Sequence, residues 1–154
     1  MRLALFEPDI PQNTGTMIRL GACMGVPVEI IEPCGFLFGD AQMRRAGMDY
    51  LEIAAITKHI SWRAFNETRQ GWDARLVLLS TKADVAYTDF AFHPDDILMV
   101  GRESAGAPDE VHAAAEGRVL IPMKAEARSI NVALSVAMVL GEALRQTNQF
   151  PGSN

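Results

Sequence analysis

A chain of 154 residues, about half of them apolar, holds enough material for one packed core and excludes global disorder. Its formal charge of −5 disfavours a general nucleic-acid coat protein, whose grip on a polyanion comes from Lys and Arg, but leaves room for a local basic patch. Two cysteines outside any C-x-x-C spacing and three scattered histidines give neither a redox pair nor a zinc pattern.

Arg2 to Phe6 is a short apolar run that reads as a buried strand rather than a signal peptide, because Glu7 interrupts it. Pro8 and Pro11 hold the next segment extended. Asn13 or Thr14 is placed to cap a helix running to about Met24, with Met17, Ile18, Leu20, Gly21 and Met24 as its apolar stripe and Gly25 as its stop. Cys23, in that apolar stretch, reads as a buried thiol. PVEIIEP is a second strand, and strand, loop, helix, strand is an α/β signal. Asp40 is placed to cap a short helix bearing Met43, Arg44 and Arg45 and ended by Gly47, and a weak third strand covers Leu51 to Ile56.

Ser61 to Arg69 reads as a helix with Trp62, Ala64 and Phe65 inward. Arg75 to Ser80 and Asp96 to Val100 are nearly continuous apolar runs of the kind a parallel sheet covers on both faces, separated by a polar link with Lys82 and Asp84. Pro108 is placed to start a helix, Arg118 to Ile121 is the last strand, and a closing helix runs from about Ile130 to Gln146. Residues 148–154 form a polar tail expected to fray. The expectation is one α/β domain over residues 1–154, a mostly parallel sheet of five or six strands flanked by helices. No apolar run reaches the length of a membrane span, so a reduced, cytoplasmic protein with no membrane association is expected.

Phosphate-loop signatures are absent: GRESAG lacks the Lys-Ser/Thr of a Walker loop, and no G-x-G-x-x-G follows the first strand. No G-x-S-x-G elbow supports a serine hydrolase. Three other stretches stand at strand ends: PDIPQNTGTMIR, VGRESAGAP and IPMKAEARSIN. In open α/β sheets the crevice beyond the carboxyl ends of the strands binds ligands, and glycines there allow close backbone approach. Together the three point to a ligand pocket. Arg19 interrupts an apolar helix and reads either as a surface arginine whose stem covers the core or as an anion contact. Arg44 and Arg45, Lys58 and Arg63, Lys82, Arg102, and Lys124 and Arg128 form basic bursts able to hold RNA if they share a face. The closing helix is apolar in nearly every direction through Val132, Leu134, Val136, Met138, Val139, Leu140 and Leu144. Either it threads through the fold or a second subunit covers its outer face.

NTGTMIRLGACMG, MVGRESAGAP and IPMKAEARSINVALSV together resemble the three motifs of the knotted RNA methyltransferases of the SPOUT superfamily. LFEPDIPQNTG, IIEPCGF, RRAGMDY and EALRQ extend the resemblance, over nearly the whole chain, to its small tRNA wobble-nucleotide 2′-O-methyltransferases. The resemblance implies a C-terminal trefoil knot, a homodimer, and S-adenosyl-L-methionine as cofactor with S-adenosyl-L-homocysteine as product and no metal. It implies 2′-O-methylation of cytidine or 5-carboxymethylaminomethyluridine at the wobble position of leucine tRNAs. Carried over residue by residue, it implies Leu79, Gly101, Ile121, Met123 and Ser129 as cofactor-binding, Asn13, Glu103 and Asn131 as supporting the active site, and Arg19 as catalytic. Arg44, Arg45, Lys124 and Arg128 are the RNA-binding candidates. The chain departs from the close pattern at Thr16, where asparagine is common, at Ala107, where leucine usually precedes the proline, and at Gly141, which replaces a tyrosine. A knotted methyltransferase for another RNA site and a noncatalytic RNA-binding dimer are the alternatives.

Overall fold

The computed structural model describes residues 1–39, 41–47 and 50–152. Among these residues seven strands, β1 (Arg2–Phe6), β2 (Val28–Ile31), β3 (Ile56–His59), β4 (Leu76–Leu79), β5 (Val85–Ala86), β6 (Ile97–Val100) and β7 (Gly117–Leu120), form one sheet in the order β3-β2-β1-β6-β4-β7-β5. Every pairing in it is parallel. Among the described residues six helices cover it: α1 (Pro11–Met24), α2 (Ala41–Gly47), α3 (Tyr50–Ile53), α4 (Trp62–Arg69), α5 (Asp109–Ala114) and α6 (Val132–Thr147).

The two-residue period of a strand sends neighbouring side chains to opposite faces. Leu3, Leu5, Val28, Ile30, Val77, Leu98, Val100 and Val119 therefore pack on one side against Met17 and Ile18 of α1, Met43 of α2, and Val136, Val139, Leu140 and Leu144 of α6. Ala4, Phe6, Ile31, Leu76, Leu78, Ile97 and Met99 pack on the other against Phe65 of α4 and Val111 of α5. This is why the strands read as continuous apolar runs: both faces are buried.

Several expectations change. The sheet has seven strands rather than five or six, because the link containing Lys82 and Asp84 continues into the short edge strand β5, which pairs with β7 through Val85↔Val119. The third strand begins at Ile56, where the Leu51 to Ile56 expectation ends; Leu51 sits in α3, its side chain packed on the same core as Ile56. A short apolar run fits either element, and here pairing with β2 (Val28↔Ile56) takes the later residues. Neither Asn13 nor Thr14 caps α1. The helix starts at Pro11, whose missing N–H costs nothing in a first turn, with Ile10 before it and no side-chain cap. Cys23 is exposed on α1 rather than buried. The Asp40 cap lies outside the described residues. Ser61 caps α4 by accepting from the Ala64 N–H at 3.1 Å, and Gly25 closes α1 in the left-handed conformation at φ 67°.

α6 is buried on one side only. Its inner side chains are sealed, whereas Leu134 and Met138 are 61% and 41% exposed within the chain. Of the two alternatives for this helix, enclosure by the chain's own fold fails, and cover of the outer face by a second subunit stays open. No helix of the described residues is long and apolar enough to cross a membrane.

Candidate active site

β4 lies between β6 and β7, in a register that sets Leu79 opposite both Val100 and Val119. Three chain segments therefore leave the sheet side by side at the carboxyl ends of these strands. They are residues 79–81, residues 100–107 and residues 121–132, and together they enclose a cavity of about 430 Å³. That volume is within the usual range for a small-molecule site. Leu79, Gly101, Ile121, Met123 and Ser129 all line it, as do Asn13, Glu103, Asn131 and Arg128. Leu79, Val100, Ile121, Met123, Ile130 and Val132 make one apolar wall, and Ser80, Thr81, Ser129 and Asn131 supply hydroxyl and amide groups. That mixture fits a nucleoside-bearing ligand, with ring and thioether surfaces to bury and ribose hydroxyls to bond.

Gly101 is required before any ligand is considered. A Cβ there would lie 2.4 Å from the Ala107 nitrogen and 2.4 Å from the Gly106 carbonyl carbon, both immovable backbone. The loop folds back on itself through paired bonds, Arg102 N–H to Gly106 O at 3.1 Å and Gly106 N–H to Arg102 O at 2.8 Å, and Gly106 takes φ 68° to do so.

A chain of polar side chains ties the segments together. Asn131 caps α6, its Oδ1 accepting from the Ala133 and Leu134 N–H groups at 2.9 and 3.3 Å. Its Nδ2 donates to Asn13 Oδ1 at 3.0 Å, and Asn13 Nδ2 donates to Glu103 Oε1 at 3.3 Å. The far oxygen of Glu103 accepts from the Asp9 N–H at 3.0 Å, and the Glu103 N–H donates to Asp9 Oδ1 at 3.1 Å. Burial, and then a hydrogen bond from its side chain to Asp9, raise Glu103 above the usual carboxylate range, while the same bond holds Asp9 below it. The two carboxyls are therefore pushed in opposite directions by the same contact. Arg102 pairs through Nη1 with Glu7 Oε2 at 3.1 Å. Its Nε is buried and, among the described residues, has no hydrogen-bond partner.

Arg19 is elsewhere. It stands on the exposed face of α1, with its guanidinium carbon 5.0 Å from the centre of the Tyr50 ring, and it is not part of the cavity lining. The four RNA-binding candidates divide. Arg128 reaches the cavity, Lys124 lies exposed in the same 121–131 segment, and Arg44 and Arg45 are exposed on α2, which packs on α1. Arg44 Nε also donates to Gly39 O at 2.6 Å. Residues that sequence reasoning passes over also line the cavity: Ile10, Ser80, Thr81, Ser135, and Arg102, which the sequence presents only as one of several scattered basic residues.

The SpoU rRNA Methylase family profile matches residues 1–141. A tRNA (cytidine(34)-2'-O)-methyltransferase from Beijerinckia indica is 60% identical over 144 residues, covering 94% of this chain and 90% of the relative. The protein of the same name from Escherichia coli K12 is 41% identical over 155 residues, covering 99% and 97%. A solved structure described as giving structural insights into the 2-OH methylation of C/U34 on tRNA superposes with a TM-score of 0.88 at 37% identity, covering 94% of each chain. The SpoU methyltransferase AviRb from Streptomyces viridochromogenes, solved in complex with the cofactor AdoMet, superposes with a TM-score of 0.84 at 25% identity over 95% of this chain and 60% of its own.

Proposed function

The chain belongs to the SpoU rRNA Methylase family, and from that premise we propose that it is a tRNA ribose 2′-O-methyltransferase acting at the wobble nucleotide, position 34. One observation carries the reading. Relatives named for that reaction match this chain almost end to end, at up to 60% identity. The strand-tip cavity adds support, because its size and mixed lining suit a nucleoside-bearing methyl donor.

S-adenosylmethionine, when bound, supplies a methyl group already activated by a sulfonium centre. Leu79, Gly101, Ile121 and Met123 would hold its adenosine, and Ser129 would contribute a hydroxyl at the mouth. The AdoMet complex of AviRb, with a similar fold, supports this choice of donor. The rest is placement, because aligning a weak nucleophile is worth several kcal/mol, of order 7 or more in well-oriented systems. Glu103, Asn13 and Asn131 keep the three loops in fixed relation. A guanidinium stays protonated, so Arg19 serves as a clamp rather than a base. Its charge would steady the ribose oxygen, or the phosphate beside it, while the 2′-hydroxyl proton passes to water or a neighbouring phosphate and the methyl donor leaves as the neutral thioether.

Arg19 lies outside the cavity lining of its own chain, and Leu134 and Met138 leave α6 with an uncovered apolar face. Both features support a homodimer in which Arg19 of one protomer serves the pocket of the other. Arg44, Arg45, Lys124 and Arg128 are proposed as tRNA contacts, on the ground of their exposure. The finer reading has leucine tRNAs as substrates, with cytidine or 5-carboxymethylaminomethyluridine at position 34, and uses no metal. It has a cytoplasmic enzyme of one domain, supported by the single sheet, and a C-terminal trefoil knot, supported by family membership and by the return of residues 121–131 to the 79–81 and 100–107 segments.

Purified protein incubated with unmodified leucine tRNA and methyl-labelled S-adenosylmethionine should yield one labelled 2′-O-methyl nucleotide, at position 34. Label at another nucleotide would move the enzyme to a different RNA site. Absence of label, together with no heat on titration with S-adenosylhomocysteine, would leave a noncatalytic RNA-binding protein.

A further inference from the structure

Asp9 lies just outside the cavity lining, yet its N–H and both carboxylate oxygens are committed to the loop that carries Glu103. Resting on the methyl-transfer reading above, we propose that Asp9 is a positioning residue of the site, a two-way clasp that sets Glu103 and, through it, the amide chain to Asn131. The Asp9 N–H donates to Glu103 Oε2 at 3.0 Å, and the Glu103 N–H donates back to Asp9 Oδ1 at 3.1 Å. The second Asp9 oxygen accepts from the Ser104 hydroxyl. Two bonds in opposite senses, between segments ninety-four residues apart, restrain both sliding and rotation, which one bond does not. With Oε2 so held, Glu103 presents Oε1 to Asn13, and Asn13 in turn meets the cap of α6.

Asp9 is itself braced from two sides. Gly35 presses against it so closely that a Cβ there would lie 2.6 Å from the Asp9 Cβ and 2.9 Å from its Cα, and the Gly35 N–H donates to Pro8 O at 2.9 Å. Two residues upstream, Glu7 takes φ 42°, a left-handed conformation that costs a side-chain-bearing residue on the order of 1–3 kcal/mol. That turn lets Glu7 pair with Arg102 while Asp9 meets Glu103 and Ser104. Strain of this kind persists where the surroundings over-determine it. Here the surroundings are two parallel links between the same two loops, so the strain and the clasp belong to one device.

A residue that merely fastens a loop would give losses independent of Glu103, whereas a residue acting through Glu103 would not. Asp9→Ala, Asp9→Asn, Glu103→Gln and the Asp9→Ala/Glu103→Gln double variant separate the two. Asp9→Ala is expected to lower kcat at saturating tRNA and S-adenosylmethionine on the order of 10²-fold, with the KM for tRNA nearly unchanged. Asp9→Asn, which keeps the shape and one acceptor oxygen, should recover part of that loss. The double variant should lose little beyond its worse parent. Gly35→Ala, which crowds Asp9 without touching the loop, should reproduce a weaker form of the defect. A second readout needs no turnover. Hydrogen exchange at the Glu103 and Ser104 amides should quicken in Asp9→Ala and Asp9→Asn, while Leu3 to Leu5 in β1 stay protected. Additive losses in the double variant, or unchanged exchange at Glu103, would overturn the proposal. A wild-type protein inactive on every tRNA would instead overturn the assigned reaction, and the exchange measurement would still decide the clasp.

Discussion

The two ends of the sheet hold cavities of similar size, about 430 Å³ at the carboxyl ends of β4, β6 and β7 and about 410 Å³ at their amino ends, built from opposite chemistry. At the amino ends the side chains of Arg75, Asp96 and Glu116, which line the cavity, are spent on the protein itself. Asp96, 1% exposed, accepts from Arg75 Nε and Nη2 at 2.8 and 2.7 Å and from the His93 N–H at 2.8 Å. Glu116 accepts from the Leu76 N–H at 2.6 Å and from Arg69 Nη1 at 3.2 Å. At the carboxyl ends an apolar wall stands open, Ser129 is exposed, and the buried Nε of Arg102 has no hydrogen-bond partner among the described residues, with Asp9 Oδ2 3.9 Å away. Volume therefore does not separate the two cavities. The buried carboxylate at the amino end staples the sheet, whereas the carboxyl end, the proposed binding site, leaves an apolar wall and exposed hydroxyls uncommitted.

The sharpest way to break that contrast is to cut a staple. Asp96→Ala removes both carboxylate bonds of Arg75, which keeps only its bond to Ala91 O, and the bond of the His93 N–H, and urea titration should show a stability loss of about 3 kcal/mol. The fraction that remains folded should bind S-adenosylhomocysteine as before; lost binding with stability intact would erase the distinction between the ends. The converse is Arg19→Ala. Methyl transfer should fall on the order of 10²-fold or more, while Tm moves by no more than about 2 °C, as expected for an exposed position. Gly101→Ala should weaken S-adenosylhomocysteine at least about tenfold, roughly 1.4 kcal/mol by calorimetry, because the added methyl meets backbone and must displace the loop.

The smallest expected effect is on pH. Glu103, raised by burial, stabilises the fold fully below its unfolded value of about 4.3 and loses that contribution as pH rises through its higher folded value. Asp9, held low by its hydrogen bond from Glu103, contributes above about 3.9 and loses its contribution as pH falls through its lower folded value. Glu103→Gln should therefore flatten the alkaline side of the stability profile, followed by Tm across mildly acidic to neutral pH, and leave the acid side in place. An unchanged profile would mean that burial does not raise Glu103 in the folded protein.

Much of the fold was legible because burial on both faces writes itself as uninterrupted apolar strands: RLALF, LVLL and ILMV all fall where expected. β5 was not, since two residues on a sheet edge carry no period and are defined only by their pairing with β7. Nor was the helical fate of Leu51, which local pattern leaves open and packing decides. A pocket was read from loops at strand ends, and Leu79, Gly101, Ile121, Met123 and Ser129, which only the family resemblance named, all line the cavity there. The links between those loops escaped notice because Asn13 and Glu103 are ninety residues apart and Asn13 and Asn131 one hundred and eighteen apart. No local signal joins residues at such separations, and Asp9 between its two prolines looks like an ordinary turn residue.

A crystal structure with S-adenosylhomocysteine tests the central claim most directly. The account predicts the adenosine between Leu79, Gly101 and Ile121, with Ser129 at the mouth and a symmetry-related Arg19 turned toward the same opening. The ligand seated at the amino-end cavity, with the 100–107 and 121–131 segments untouched, would contradict it.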